Sequence, residues 1–113
     1  MILVIDEKES ATLTLHMSMM RKPFRNVFKT RYKARREVLS KSYDYILGSA
    51  RKALESENEV NEMHLNIIDL EVLCEFLNSY TSKLAKFELK GMDLEQLGVM
   101  KELHLRCREL MTA

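Results

Sequence analysis

The chain has 113 residues, of which 46% are apolar and 31% are charged, with three glycines and one proline. This composition argues against a disordered chain and predicts a single helical domain, residues 1–113. No apolar run approaches the roughly 18 residues that a membrane-spanning helix needs. The start of the chain, MILVIDEKES, turns acidic after five apolar residues, whereas a secretory signal begins with basic ones. We therefore expect a cytoplasmic protein with no membrane partner.

The net charge of +1 conceals two oppositely charged segments. Residues 10–36 contain eight basic residues and no acid, and residues 55–75 contain seven acids and no lysine or arginine. Such segregation affects association more than it affects the fold. Either the two segments neutralise each other, within one chain or between copies, or the basic segment is free for an anionic partner.

The first elements of the chain are a short strand and an ambiguous segment. Ile2–Ile5 is rich in β-branched and aliphatic residues and predicts a strand. Asp6 and Glu9 match a capping box, which predicts a helix directly after Asp6. Residues 11–19, however, alternate between apolar and polar, which is the period of a strand. We favour the helix, because the pattern M-x-L-x-I-x-x-x-E recurs at residues 63–71 ahead of a clearer helix, and keep a hairpin as the alternative.

A long amphipathic pattern follows. From Phe24 to Leu54 the apolar residues recur in steps of three and four, which predicts one long central helix. Pro23 is tolerated in the first turn of that helix, where its missing N–H has no partner to lose. Gly48 lies inside it and indicates a close helix crossing or a bend.

The C-terminal half predicts a loop, a strand and two helices. Residues 55–62 are polar and predict a loop, and residues 63–68 predict a strand that pairs with residues 2–5. Asp69 is the expected N-cap of a helix that Gly91 ends, and a second capping box at residues 93–96 begins the last helix. The short connection predicts that these two helices form an antiparallel hairpin. The predicted fold is therefore mainly α: a small antiparallel helical bundle, with a long central helix, a C-terminal helical hairpin and one or two short strands.

The sequence lacks the motifs of the common catalytic and metal sites. Cys74 and Cys107 fall on apolar helical faces, where free thiols are expected in the absence of an export signal. Together with His64 and His104 they would supply four zinc ligands, but their spacing matches no zinc motif. There is no G-x-S-x-G motif and no glycine-rich phosphate loop. We predict no metal, no cofactor and no enzymatic activity.

The predicted partner-binding site is the segment 21–36. Its basic members are Arg21, Lys22, Arg25, Lys29, Arg31, Lys33, Arg35 and Arg36, and its aromatic members, four residues apart, are Phe24, Phe28 and Tyr32. On a helix the three rings share one face and the cations occupy most of the rest. The rings are either exposed for a partner or part of the core, with the cations forming a solvated face.

Three hypotheses follow for function. The first is a non-enzymatic interaction protein, a regulator or inhibitor that binds a larger acidic protein, because arginine, tyrosine and phenylalanine are enriched at protein interfaces. The second is nucleic-acid or nucleotide binding, with cations on phosphates and rings stacked on bases. The third is a homo-oligomer in which the basic segment of one copy meets the acidic segment of another. The near-neutral net charge favours the first over the second.

Overall fold

The computed structural model describes residues 1–113 and contains five α-helices and one two-stranded antiparallel sheet. In chain order the elements are β1 (Ile2–Asp6), α1 (Glu7–Met19), α2 (Arg21–Arg31), α3 (Arg36–Glu55), β2 (Val60–His64), α4 (Ile67–Leu84) and α5 (Met92–Thr112), with a 3-10 turn at Lys33–Arg35 between α2 and α3. The predicted helical bundle with short strands is confirmed. None of the helices combines the length and the apolar character that crossing a bilayer requires.

A second strand pairs with β1, but the predicted bounds 63–68 are wrong: of these residues only Met63 and His64 belong to β2, and Ile67 and Ile68 begin α4. Leu3 lies opposite Met63, and both are buried, as is Ile5. β2 starts at Val60, inside the predicted loop, and ends before Leu65. It ends there because the next residues form the capping box of α4.

Residues 7–19 form the helix α1, and the hairpin alternative is wrong. The Asp6 carboxylate accepts the Glu9 N–H at 2.8 Å, and the Glu9 carboxylate accepts the Asp6 N–H at 2.9 Å. The buried hydroxyls of Ser10 and Thr12 donate to backbone carbonyls one turn earlier, each at 2.8 Å. Because these two hydroxyls bond to the backbone of their own helix, Ser10 and Thr12 are buried in a helix, and the period-two pattern does not indicate a strand here.

The predicted long central helix is present as α3, but its predicted start at Phe24 is wrong, because the helix is interrupted at Tyr32 and α2 packs back against α3. The buried rings explain the break. The Phe24 ring stacks on Tyr43 with centroids 5.8 Å apart and contacts Phe76 at 5.1 Å. Phe24 and Tyr43 are 19 residues apart in sequence, which in a straight helix would separate them by about 28 Å. Only a reversal of direction brings these rings into one core.

The helical hairpin is present, but its boundaries differ from the prediction. The N-cap of α4 is Asn66, with Asp69 at N3 of the capping box, so Asp69 is not the cap itself. α4 ends at Leu84, well before Gly91, and Phe87 is consequently exposed. Gly91 instead precedes α5 with no side-chain cap, so the predicted second capping box does not form.

All five helices and both strands contribute to one hydrophobic core of 23 residues. Its centre is an aromatic cluster formed by Phe24, Phe28, Tyr43, Phe76 and Tyr80. Since two of these rings belong to α2, the core fixes the orientation of α2. The cations of α2 therefore face away from the core.

Candidate partner-binding surface

We call the eight cations of residues 21–36 the basic face. Seven of them are exposed, and Arg21 is half-buried. Six of the eight have no carboxylate oxygen within 4.0 Å. These six are Lys22, Arg25, Lys29, Arg31, Lys33 and Arg36. Most of the positive charge of this segment is thus left unpaired by the chain itself.

Arg21 and Arg35 are the two paired members of the basic face. Arg21 binds the Asp44 carboxylate with two hydrogen bonds, Nε to Oδ1 at 2.8 Å and Nη2 to Oδ2 at 3.0 Å. This pair lowers the pKa of Asp44 below its ordinary value, and the charge of Arg25 adds to the effect. Arg35 Nη2 lies 3.3 Å from Glu71 Oε2, which is the only ion pair between the basic segment and the acidic segment 55–75.

An open polar groove of about 800 Å³ lies between the helices α2 and α3. Its lining consists of four cations, two carboxylates and two uncharged polar residues: Arg25, Lys29, Arg36, Lys41, Glu37, Asp44, Asn26 and Ser40. Lys41 lies outside the predicted segment 21–36. It lines the groove only because α2 folds back along α3, which the sequence pattern did not indicate. Cations from two helices therefore converge on one surface, which a single straight helix would not achieve.

The aromatic members of the predicted site divide between core and surface. Phe24 and Phe28 are only 6% and 2% exposed, so they anchor α2 in the core and present no open ring face for stacking. Tyr32 is 39% exposed at the C-terminal end of α2. The alternative that the rings belong to the core therefore holds for two of the three.

A small apolar notch adjoins the basic face. It has a volume of about 150 Å³, and its apolar walls are Phe28, Tyr32, Leu39 and Val72. Its charged rim is formed by Arg35, Glu71 and Glu75. Arg35 is the one cation of the basic face on this rim, so the notch meets the basic face at Arg35.

Most buried polar side chains away from this surface have hydrogen-bond partners within the fold, and the exceptions are Thr14 Oγ1 and Arg106 Nε. His16 Nδ1 lies 2.8 Å from the Tyr80 hydroxyl, and Nε2 lies 2.7 Å from Gln96 Oε1, which links α1, α4 and α5. Both cysteines are free thiols, and no group of three or more His, Cys, Asp or Glu residues is arranged to hold a metal ion. Sequence reasoning missed the His16 network, because residues 80 and 96 approach residue 16 only in the packed bundle.

No protein-family model matches the chain, and neither a curated protein nor a solved structure matches it significantly. The function is therefore argued from the geometry of the surface. The features of this surface that involve the predicted segment 21–36 are the cation-lined groove and the apolar notch at Arg35.

Proposed function

We propose that this chain is a non-enzymatic cytoplasmic interaction protein, a regulator or inhibitor that binds an acidic protein through its basic face. The observation that supports this is the set of six exposed cations with no carboxylate within 4.0 Å. Four cations of two packed helices line the groove at positions that the core sets. Complementary charge of this kind accelerates encounter and selects partners.

The composition of the groove favours a protein over a nucleic acid. Phe24 and Phe28 are buried, which leaves Tyr32 as the one ring of the segment that a base could stack on. Glu37 and Asp44 line the same groove and would repel phosphates. The same carboxylates would accept hydrogen bonds from a protein partner, whose surface presents donors as well as acids.

A charge-reversal experiment tests the proposal. We expect a triple variant, Arg25→Glu, Lys29→Glu and Arg36→Glu, to lose the acidic partner in a pull-down from lysate at low salt. The matched control reverses Lys52, Lys83 and Lys101, which are exposed cations outside the groove with no carboxylate within 4.0 Å. Equal recovery of partner by wild type and the groove variant would contradict the proposal.

Nucleic-acid binding is the second candidate, because exposed arginines and lysines on two helices suit phosphates as well as carboxylates. Anisotropy titration of a labelled single-stranded oligonucleotide across a salt series distinguishes the two. Phosphate contacts predict an affinity that falls steeply with salt. No binding at low salt ends this alternative.

We also propose that copies of the chain associate through opposite charges. Glu55, Glu57, Glu59 and Glu62 are exposed, and none has a cation within 4.0 Å. The acidic segment of one copy is therefore complementary to the basic face of another.

A further inference from the structure

The notch beside the basic face combines buried apolar walls with one exposed ring. Phe28, Leu39 and Val72 are buried, and Tyr32 stands partly exposed at the edge. A volume of about 150 Å³ is large enough for a single side chain. Arg35 belongs both to the rim of the notch and to the basic face, so the notch lies at the edge of that face.

We propose that this notch is the anchor site for one bulky apolar side chain, such as leucine, carried by an acidic segment of the partner. This proposal rests on the proposed function and specifies what the partner must contain. Exposed ion pairs contribute little affinity individually and act mainly on the rate of encounter. Specific interfaces take most of their affinity from a few desolvated anchors, and the polar groove offers no apolar wall for one.

The charges around the notch restrict the position of the acids in the partner. Arg35 lies on the side of α2 and α3, and Glu71 and Glu75 lie on α4. Glu71 is held by Arg35 at 3.3 Å, and the Glu75 carboxylate accepts the Ser79 hydroxyl at 2.9 Å. Acids of the partner are attracted towards the basic face and repelled on the α4 side. The bound segment therefore has its carboxylates on one side of the apolar residue only.

Labelled synthetic peptides test this arrangement by fluorescence anisotropy. The first contains a glutamate run, one leucine and a serine run, made in both chain directions. In the second, serine replaces the leucine, and in the third the leucine lies between two glutamate runs. We expect the better direction of the first peptide to bind at least tenfold more tightly than the second, and more tightly than the third.

Protein variants then locate the effect. Tyr32→Ser should abolish the advantage of leucine over serine, and Tyr32→Phe, which keeps the ring, should retain it. Phe87→Ser is the matched control, because Phe87 is a strongly exposed aromatic residue outside the notch. Circular dichroism of each variant confirms that the helices are intact.

The possible outcomes separate this proposal from the proposed function. The wild-type protein could bind the leucine and serine peptides equally, and the groove variant could bind neither. That result would overturn the anchor site and leave the acidic-partner proposal in place. A leucine advantage that survives Tyr32→Ser would also overturn the anchor site. Absence of binding by every glutamate peptide would overturn both.

Discussion

At the scale of single residues, Tyr43 connects the aromatic core with the end of α1. Its ring packs on Phe24 and Phe76, and its hydroxyl donates to the Met17 carbonyl at 2.6 Å. Met17 lies in the last turn of α1, where carbonyls lack partners within the helix. Burial raises the pKa of Tyr43, so the phenol keeps the proton that it donates.

We expect Tyr43→Phe to lower the free energy of unfolding by about 1–2 kcal/mol, because it leaves a buried carbonyl unpaired. Urea denaturation measures this loss. Tyr45→Phe is the matched control: the Tyr45 hydroxyl donates to the His64 carbonyl at 2.6 Å, but at an exposed position where water can replace it. If the two variants lost equal amounts of unfolding free energy, burial of the hydrogen bond would not explain its contribution to stability.

The pair between Arg21 and Asp44 predicts a pH dependence. Hydrogen bonds from Arg21 lower the pKa of Asp44 in the folded state, so the pair stabilises the fold above the ordinary aspartate pKa of about 4. This contribution is lost as the pH falls through the lowered pKa. It is small, because both side chains are 41% exposed.

We therefore expect Asp44→Asn to be slightly less stable than wild type near neutral pH, and the difference to be smaller at about pH 3, below the ordinary aspartate pKa. Urea denaturation at the two pH values measures the difference. A stability difference that persists unchanged at the lower pH would show that the carboxylate charge is not responsible.

At the scale of elements, the helix starts depend on local side-chain hydrogen bonds. At α4 the Asn66 side chain accepts the Asp69 N–H at 2.8 Å, and the Asp69 carboxylate accepts the Asn66 N–H at 3.0 Å. Asp69 also accepts the buried hydroxyl of Ser42 at 2.6 Å, which ties the start of α4 to α3. One short motif thus determines where α4 begins and how it docks.

We expect Asn66→Ala to cost about 1 kcal/mol of unfolding free energy, and Asn66→Asp to be close to neutral, because aspartate is also a good N-cap. Thermal or urea denaturation provides the measurement. Asn58→Ala, in the exposed turn before β2, is the control and should have little effect. Equal losses in Asn66→Ala and Asn58→Ala would argue against capping.

Substitution by alanine should have opposite effects on stability at Gly48 and at Gly91. A Cβ on Gly48, inside α3, would meet nothing within 4 Å, so this glycine is not required for the predicted close helix crossing. Gly91 also has free space, but its φ of 60° and ψ of −127° strain any residue with a side chain.

We expect Gly48→Ala to stabilise the protein by about 0.5–1 kcal/mol, because alanine is the better helix former. Gly91→Ala should destabilise it by about 1 kcal/mol or more through backbone strain. Melting of the two variants side by side tests the pair. The explanation fails if both substitutions shift stability in the same direction.

At the scale of the whole molecule, the charge segregation survives folding. The acidic segment and the basic segment share one ion pair, Arg35 with Glu71, so each keeps most of its charge exposed. Other ion pairs, such as Lys8 with Glu95 and Glu9 with Arg106, tie α5 to the N-terminal part of the chain. The fold therefore leaves two complementary surfaces on one molecule.

We expect this complementarity to produce association that weakens as salt screens the charges. Multi-angle light scattering over a salt series should give a larger mass at low salt than at high salt. A variant with Glu55, Glu57 and Glu59 changed to glutamine should remain smaller at low salt. A monomer at every salt concentration would exclude self-association by this route.

The sequence alone determined the class of the fold, the position of β1 and the start of α1. Each of these follows from residues that are neighbours in sequence: an apolar strand run, or a D-x-x-E capping box. Local hydrogen bonds and side-chain periodicity act over one or two turns, so a reader of the sequence can recognise them. The concentration of cations at residues 21–36 was visible for the same reason.

Only the tertiary structure decided where that charge points and what surrounds it. The break at Tyr32 lets Phe24 and Phe28 join Tyr43 and Phe76, and this burial outweighs the continuous helical pattern of the sequence. The same reversal creates the groove that includes Lys41 and the notch that includes Val72. Contacts between residues distant in sequence depend on how the helices pack, and no local pattern encodes that packing.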